Sequence, residues 1–303
     1  MYLVQRITFS TMELHLEEGV EVPKGGTVVW GSPSVGNVGQ LCVDVLLATL
    51  AAGKALKRVG TIETSILFPV SGYEDLGDSE GPFLCSPLEL YLHRDSKVLI
   101  LQQRSSMLSD SVDAFAQALL TLLQEQLGCA RLVVTCGAGL NNVAGLDIVN
   151  KPLFFVKHGD EMEEQADGAK AHGDPWRRIS AVCFSKAQAV DNAVGDGAAD
   201  VPLGVPVVRA IMQQAPLMTS SSTLHKALEV EVAGMFCREG NNAPHGFLLA
   251  GALATKMQLW HATPVPSGAL TAPKSWAAMF TPGGVSVGVP GMAPLTTTPD
   301  MFL

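Results

Sequence analysis

The stretch GTVVWGSPSVGNVGQLCVDVLLATLAAG, residues 26–53, carries the pattern that sets the fold. Its first five residues are a short apolar run ended by Gly31, which reads as a buried strand. A turn rich in Gly, Ser and Pro follows, and the spacing predicts a helix from Asn37 onward. Asn is a strong N-cap, and Gln40 three residues later is placed to close a capping box. Val38, Leu41, Cys42, Val45, Leu46 and Thr49 recur at helical spacing, and Leu47 and Leu50 widen the stripe until the helix is nearly buried. Gly53 is the expected C-cap.

Working outward, strands are expected at 59–62, 64–70, Leu88–His93 and 97–102, and a helix at 110–127 ended by Gly128. A strand at 130–136 follows at once, then a glycine turn at 137–139. Strand–helix–strand order of this kind predicts a sheet covered on both faces by helices, an α/β class. Two polar stretches, 159–178 and 191–200, interrupt the order as surface insertions, too poor in apolar residues to offset the entropy of ordering. Beyond the apolar run at 203–212, further helices are predicted at 224–238, 244–261 and 274–280. The division is therefore a domain over 1–280 and a flexible, Pro- and Gly-rich C-terminal tail over 281–303.

With 303 residues, 47% hydrophobic and only 16% charged, the chain has ample material for a large core. A net charge of −9 and the lack of an extended Lys/Arg cluster argue against nucleic acid as a partner. No apolar run approaches the ~18 residues of a membrane span, since Leu41 to Ala52 contains Asp44 and is too short. The N-terminus lacks the regions of a signal peptide. The cysteines at 42, 85, 129, 136, 183 and 237 form no C-x-x-C pair and read as reduced core residues of an intracellular protein.

Two readings compete at Gly31, Gly36 and Gly39. Glycines between a strand and a helix can cradle a phosphate, with Glu63 as a ribose-binding acid, which would make a nucleoside or phosphate-ester enzyme. The spacing, however, is neither G-x-G-x-x-G nor a P-loop, and glycines at tight turns serve backbone geometry. Ser34 does not stand in a nucleophile elbow. The seven His residues are dispersed, so local spacing assembles no metal site and calls for no cofactor. At the other end, Met301, Phe302 and Leu303 close a polar tail with apolar side chains and a free carboxylate. That arrangement suits a C-terminal anchor in a partner's groove.

Ser34-Val35-Gly36-Asn37-Val38-Gly39-Gln40-Leu41, with Asp44 and Thr49-Leu50, resembles the hallmark segment of the proteasome assembly chaperone 2 family. Three further stretches agree in order: Gly128 to Arg131, Glu239-Gly240-Asn241-Asn242-Ala243-Pro244, and Ser275-Trp276 with Met279-Phe280. The resemblance implies a single three-layer α/β/α domain, similar to purine nucleoside phosphorylases but without their catalysis. It makes Gly36, Asn37 and Gly39 a fold-signature turn. It also implies a heterodimer with proteasome assembly chaperone 1, in the cytoplasm and nucleus, that binds α-subunits of the proteasome core particle and promotes α-ring assembly. Met301, Phe302 and Leu303 stand where such proteins carry a hydrophobic–Tyr–any anchor, with Phe302 lacking the phenol hydroxyl.

Overall fold

The computed structural model describes residues 12–73, 76, 84–108, 110–139, 152–158, 175–179, 205–219, 228–259, 270–278, 285–287 and 295–297. Its strands are β1 (Glu13–Leu16), β2 (Thr27–Gly31), β3 (Leu56–Glu63), β4 (Gly72–Tyr73), β5 (Leu84–Cys85), β6 (Leu88–His93), β7 (Val98–Gln103), β8 (Arg131–Gly139), β9 (Leu153–Lys157), β10 (Trp176–Arg178), β11 (Glu229–Cys237), β12 (Val285–Val287) and β13 (Leu295–Thr297). The helices are α1 (Val38–Ala52), α2 (Val112–Thr121), α3 (Pro206–Thr219) and α4 (Ala243–Lys256).

Nine strands form one sheet in the order β1-β3-β6-β7-β2-β8-β11-β9-β10. At its centre β7, β2, β8 and β11 run parallel. On one side the chain continues as an antiparallel meander through β6, β3 and β1. Strands buried on both faces need helices above and below. Alternate residues serve each layer: Val28 and Trp30 join the core under α2 and α3, while Val29 joins the core under α1 and α4. Trp30 meets Phe115 of α2 with ring centroids 5.6 Å apart, and both are fully buried. A strap at 270–278 closes over the other layer. Its Trp276 packs edge-on against Phe247 of α4, and the Thr271 amide donates to Thr49 Oγ1 of α1. This is the three-layer α/β/α architecture expected.

The 3-10 turn and α1 together, Val35–Ala52, are long and apolar enough to cross a membrane by length and composition. The stretch is longer than the apolar run Leu41 to Ala52 because the 3-10 turn leads, across a kink at Gly36, into α1. Ten of the residues of α1 are buried, against β2, β8 and α4, so its apolarity is that of a core helix.

Several expectations are corrected. Residues 224–238, read as a helix, contain β11, which lies between β8 and β9 in the sheet. Its apolar residues face both layers, Val230 and Val232 one and Ala233 and Met235 the other, so the run fits either period. Residues 64–70 make only an isolated bridge, Leu67 to Met107. Residues 137–139 continue β8 rather than turning. A Cβ at Gly137 would lie 2.1 Å from the Val35 carbonyl oxygen, so glycine is there for close approach. The predicted helix at 110–127 begins at Val112 and finishes in a π turn, Leu122–Gln126, before Gly128 at φ +60°. The end of the first insertion, Trp176–Arg178, is an edge strand parallel to β9. The tail holds a two-stranded ribbon, β12 with β13, built from segments rich in β-branched residues. Residues 191–200 and His261 lie outside the described residues.

Candidate functional site

The turn at 32–39 sits at the carboxyl ends of β2, β8 and β11, where open parallel sheets usually hold ligands. Here it is filled by the chain itself. Ser32 binds the Thr135 carbonyl twice, through its amide at 3.0 Å and its hydroxyl at 2.9 Å. Ser34 Oγ accepts from the Gly137 amide at 2.9 Å and donates to the Ser32 carbonyl at 3.1 Å. Thr135 Oγ1 lies 3.0 Å from the Gly39 carbonyl oxygen and 3.2 Å from that of Trp30. The turn is therefore stitched to the sheet by hydroxyls.

Three consecutive amides that could face an anion are already engaged. Gly36 N–H donates to the Glu239 carboxylate at 3.3 Å, Asn37 N–H to the Ser34 carbonyl at 2.9 Å, and Val38 N–H to the Val35 carbonyl. A carboxylate thus occupies the place of a phosphate. Glu63, the proposed ribose partner, ends β3, three strands away from β2, where it faces His15 at 3.6 Å. The nucleotide reading loses both its donors and its acid.

The fold-signature residues do come together, with a correction to their roles. Gly36 and Asn37 both adopt left-handed backbone, φ +59° and +54°, and the Asn37 side chain makes no cap. Gln40 closes no capping box; its amide donates to the Gln103 carbonyl at 2.8 Å. Consecutive left-handed residues reverse the chain so that α1 starts directly over β8. Gly39 is the contact point: a Cβ there would lie 2.2 Å from the Thr135 carbonyl oxygen. A Cβ at Gly36 would collide with the Asn242 amide, which itself donates to the Arg238 and Gly240 carbonyls. Glu239, Asn242 and Thr135 complete the turn. The sequence pattern places them far from it and offers only the Glu-Gly-Asn-Asn stretch as a signal.

The thiol beside the turn is held in its protonated form. Cys237 Sγ donates to the Val35 carbonyl at 3.3 Å, and burial, then Glu239, push its pKa up to about 11. Burial pushes the Cys129 thiol to about 12 and the Cys42 and Cys136 thiols higher still. Protonated thiols are poor nucleophiles and poor metal ligands. The five described cysteines are all free and buried, as the sequence predicts; Cys183 lies outside the described residues. Among the described residues no three His, Cys, Asp or Glu side chains converge on a metal position.

Two cavities lie away from the turn. One, of about 30 Å³, is lined by Asp44, Gln102, Arg104 and Ser275, and has room for about one water. Beside it Glu89, 1% exposed, pairs with Arg58 at 3.2 Å and Arg104 at 3.0 Å. Burial works against the Arg104 charge, but Glu89, Tyr91 and Cys85 together outweigh it and raise the guanidinium pKa. The other cavity is an open groove of about 460 Å³ at the sheet edge. Met301, Phe302 and Leu303, the proposed anchor, lie outside the described residues.

The fold and this sealed turn define a class: α/β/α proteins whose ligand-binding corner is closed by their own backbone and side chains. The chain belongs to the PAC2 family, which it matches over residues 28–292. It is 26% identical over 274 residues to proteasome assembly chaperone 2 of Danio rerio, covering 89% of this chain and 98% of that one. Proteasome assembly chaperone 2 of Xenopus laevis is 24% identical over 271 residues, 87% of this chain and 94% of that one. Among solved structures, an archaeal homolog of proteasome-assembly chaperone from Pyrococcus furiosus superposes with a TM-score of 0.50 at 12% identity, over 82% of this chain and 88% of that one. A Thermoplasma acidophilum protein of unknown function gives a TM-score of 0.51 at 14% identity, over 79% and 78%. At such identities these two structures bear on the fold alone.

Proposed function

We propose that this chain is a proteasome assembly chaperone subunit that works by contact and not by catalysis. It pairs with proteasome assembly chaperone 1, binds α-subunits of the core particle in the cytoplasm and nucleus, and promotes α-ring assembly. Its C-terminal residues Met301, Phe302 and Leu303 dock between neighbouring α-subunits. The observation that carries the reading is similarity, over 89% of the chain, to a relative named proteasome assembly chaperone 2, with a family match over residues 28–292. The turn supports it: the Gly36, Asn37 and Val38 amides of the would-be phosphate cradle are engaged within the chain. A short terminal anchor must be ordered on binding, so its own affinity is modest and the folded surface adds to it.

The test uses the tagged full-length chain in its native cells, compared with a variant lacking residues 301–303. The full chain is expected to bring down proteasome α-subunits, and the truncated one far less, with unchanged thermal melting. Equal recovery of α-subunits refutes the anchor. A clear rise in melting temperature with phosphate or nucleosides would instead favour ligand chemistry at the turn.

A further inference from the structure

Three of the large hydrophobic side chains exposed among the described residues come from the excursion between β3 and β6, Phe68 at 49%, Val70 at 42% and Leu84 at 62%, and a fourth, Leu108 at 37%, follows β7. Phe68, Val70 and Leu84 are close in the chain to residues that line the open groove of about 460 Å³, namely Leu67, Pro69, Ser86 and Pro87. Phe68 lies between the lining residues Leu67 and Pro69, and Leu84 lies two residues before Ser86. Leu108 follows Met107, which pairs with Leu67 in an isolated antiparallel bridge. Apolar exposure beside a groove marks a contact surface.

Charge decides the occupant. Glu13 and Glu63 line the same groove and stand directly opposite each other across the β1–β3 ladder. Like charges in that register destabilise a sheet. Glu63 has His15 at 3.6 Å, while Glu13 has no ion pair among the described residues. Among the described residues no Lys or Arg lines the groove. A second copy of this chain, also at −9, would bring acid against acid. The strand beside the groove, β1, is also the edge of the sheet among the described strands, the position at which an extended segment can add.

We infer that this groove binds an extended segment of a partner protein in which apolar and basic side chains alternate. The apolar side chains cover Phe68, Val70 and Leu84, and a Lys or Arg is shared between Glu13 and Glu63. The assignment stands on this face alone and does not depend on the terminal anchor.

The probe is a capped, fluorescent hexapeptide, Lys-Leu-Lys-Phe-Lys-Leu, titrated into the full-length chain alongside versions carrying Ser or Glu in place of Lys. The Lys peptide is expected to bind with a Kd below about 1 mM. Binding should weaken roughly tenfold in the Glu13→Lys/Glu63→Lys variant and fall with added salt. A control variant, Glu21→Gln/Glu125→Gln, which alters acids outside the groove, should bind as the wild type does. Phe68→Ser should also weaken binding while leaving the melting temperature intact, which separates contact from folding. The inference is overturned if the wild type does not bind the Lys peptide, if the Ser peptide binds equally well, or if control and groove variants behave alike. It is equally overturned if sedimentation shows a dimer of this chain that dissociates on Phe68→Ser substitution, since the face would then belong to a second copy.

Discussion

Phe115 and Phe68 are the same side chain in opposite circumstances. Phe115 is fully buried between α2 and the sheet, against Trp30, whereas Phe68 is half exposed on the excursion between β3 and β6. The same contrast holds for whole regions. At the carboxyl ends of the parallel strands the Ser32 and Ser34 hydroxyls and the Gly36, Asn37 and Val38 amides meet partners from their own chain. At the antiparallel margin, apolar side chains and a pair of opposed carboxylates remain open to contact. A corner that is closed specifies the fold, and a margin left unfinished has work to do with something else.

The largest effect should come from breaking the buried side. Phe115→Ala removes a core aromatic and is expected to cost about 3–5 kcal/mol in urea unfolding. Next, Gly39→Ala places a methyl group 2.2 Å from the Thr135 carbonyl oxygen and 2.9 Å from that of Ser32, both backbone atoms that cannot swing aside. A loss of roughly 3 kcal/mol is expected, with α1 lifted from β8. Phe68→Ala sharpens the comparison, because the same deletion on the open margin should change unfolding by no more than about 0.5 kcal/mol. A loss as large as that of Phe115→Ala would dissolve the distinction between the two regions.

The smallest effect concerns His245, in the first turn of α4, half-buried and with Nδ1 unpartnered. Burial lowers its pKa below the ordinary 6.5. As pH falls through 6.5 the unfolded imidazole takes up a proton that the folded one resists, so stability declines there and levels off below the folded pKa. His245→Gln should flatten that slope, measured as melting temperature between pH 7 and pH 5. Solvent screening keeps the change small.

The strand–turn–helix unit at 26–53 was legible because three signals coincide: a short apolar run, a glycine turn and a long apolar stripe ended by Gly53. The α/β class followed from it. The role of Asn37 was not legible, since a cap and a left-handed turn residue both call for Asn, and only the contact with the 238–242 loop decides between them. The strand β11 was missed because Val230, Val232, Ala233 and Met235 fit both periods; its place beside β8 is set by residues about a hundred positions away. The open margin left no trace, because exposure of Phe68 depends on what the sheet places beside it. Local periodicity carries no information about such distant neighbours.

The central claim, that this chain promotes α-ring assembly, is tested most directly by depleting it from its native cells and following the core-particle α-subunits on native gels. The account predicts fewer assembled α-rings and an accumulation of free or wrongly assembled α-subunits, restored by the full-length chain. Normal α-ring levels after complete depletion would contradict it.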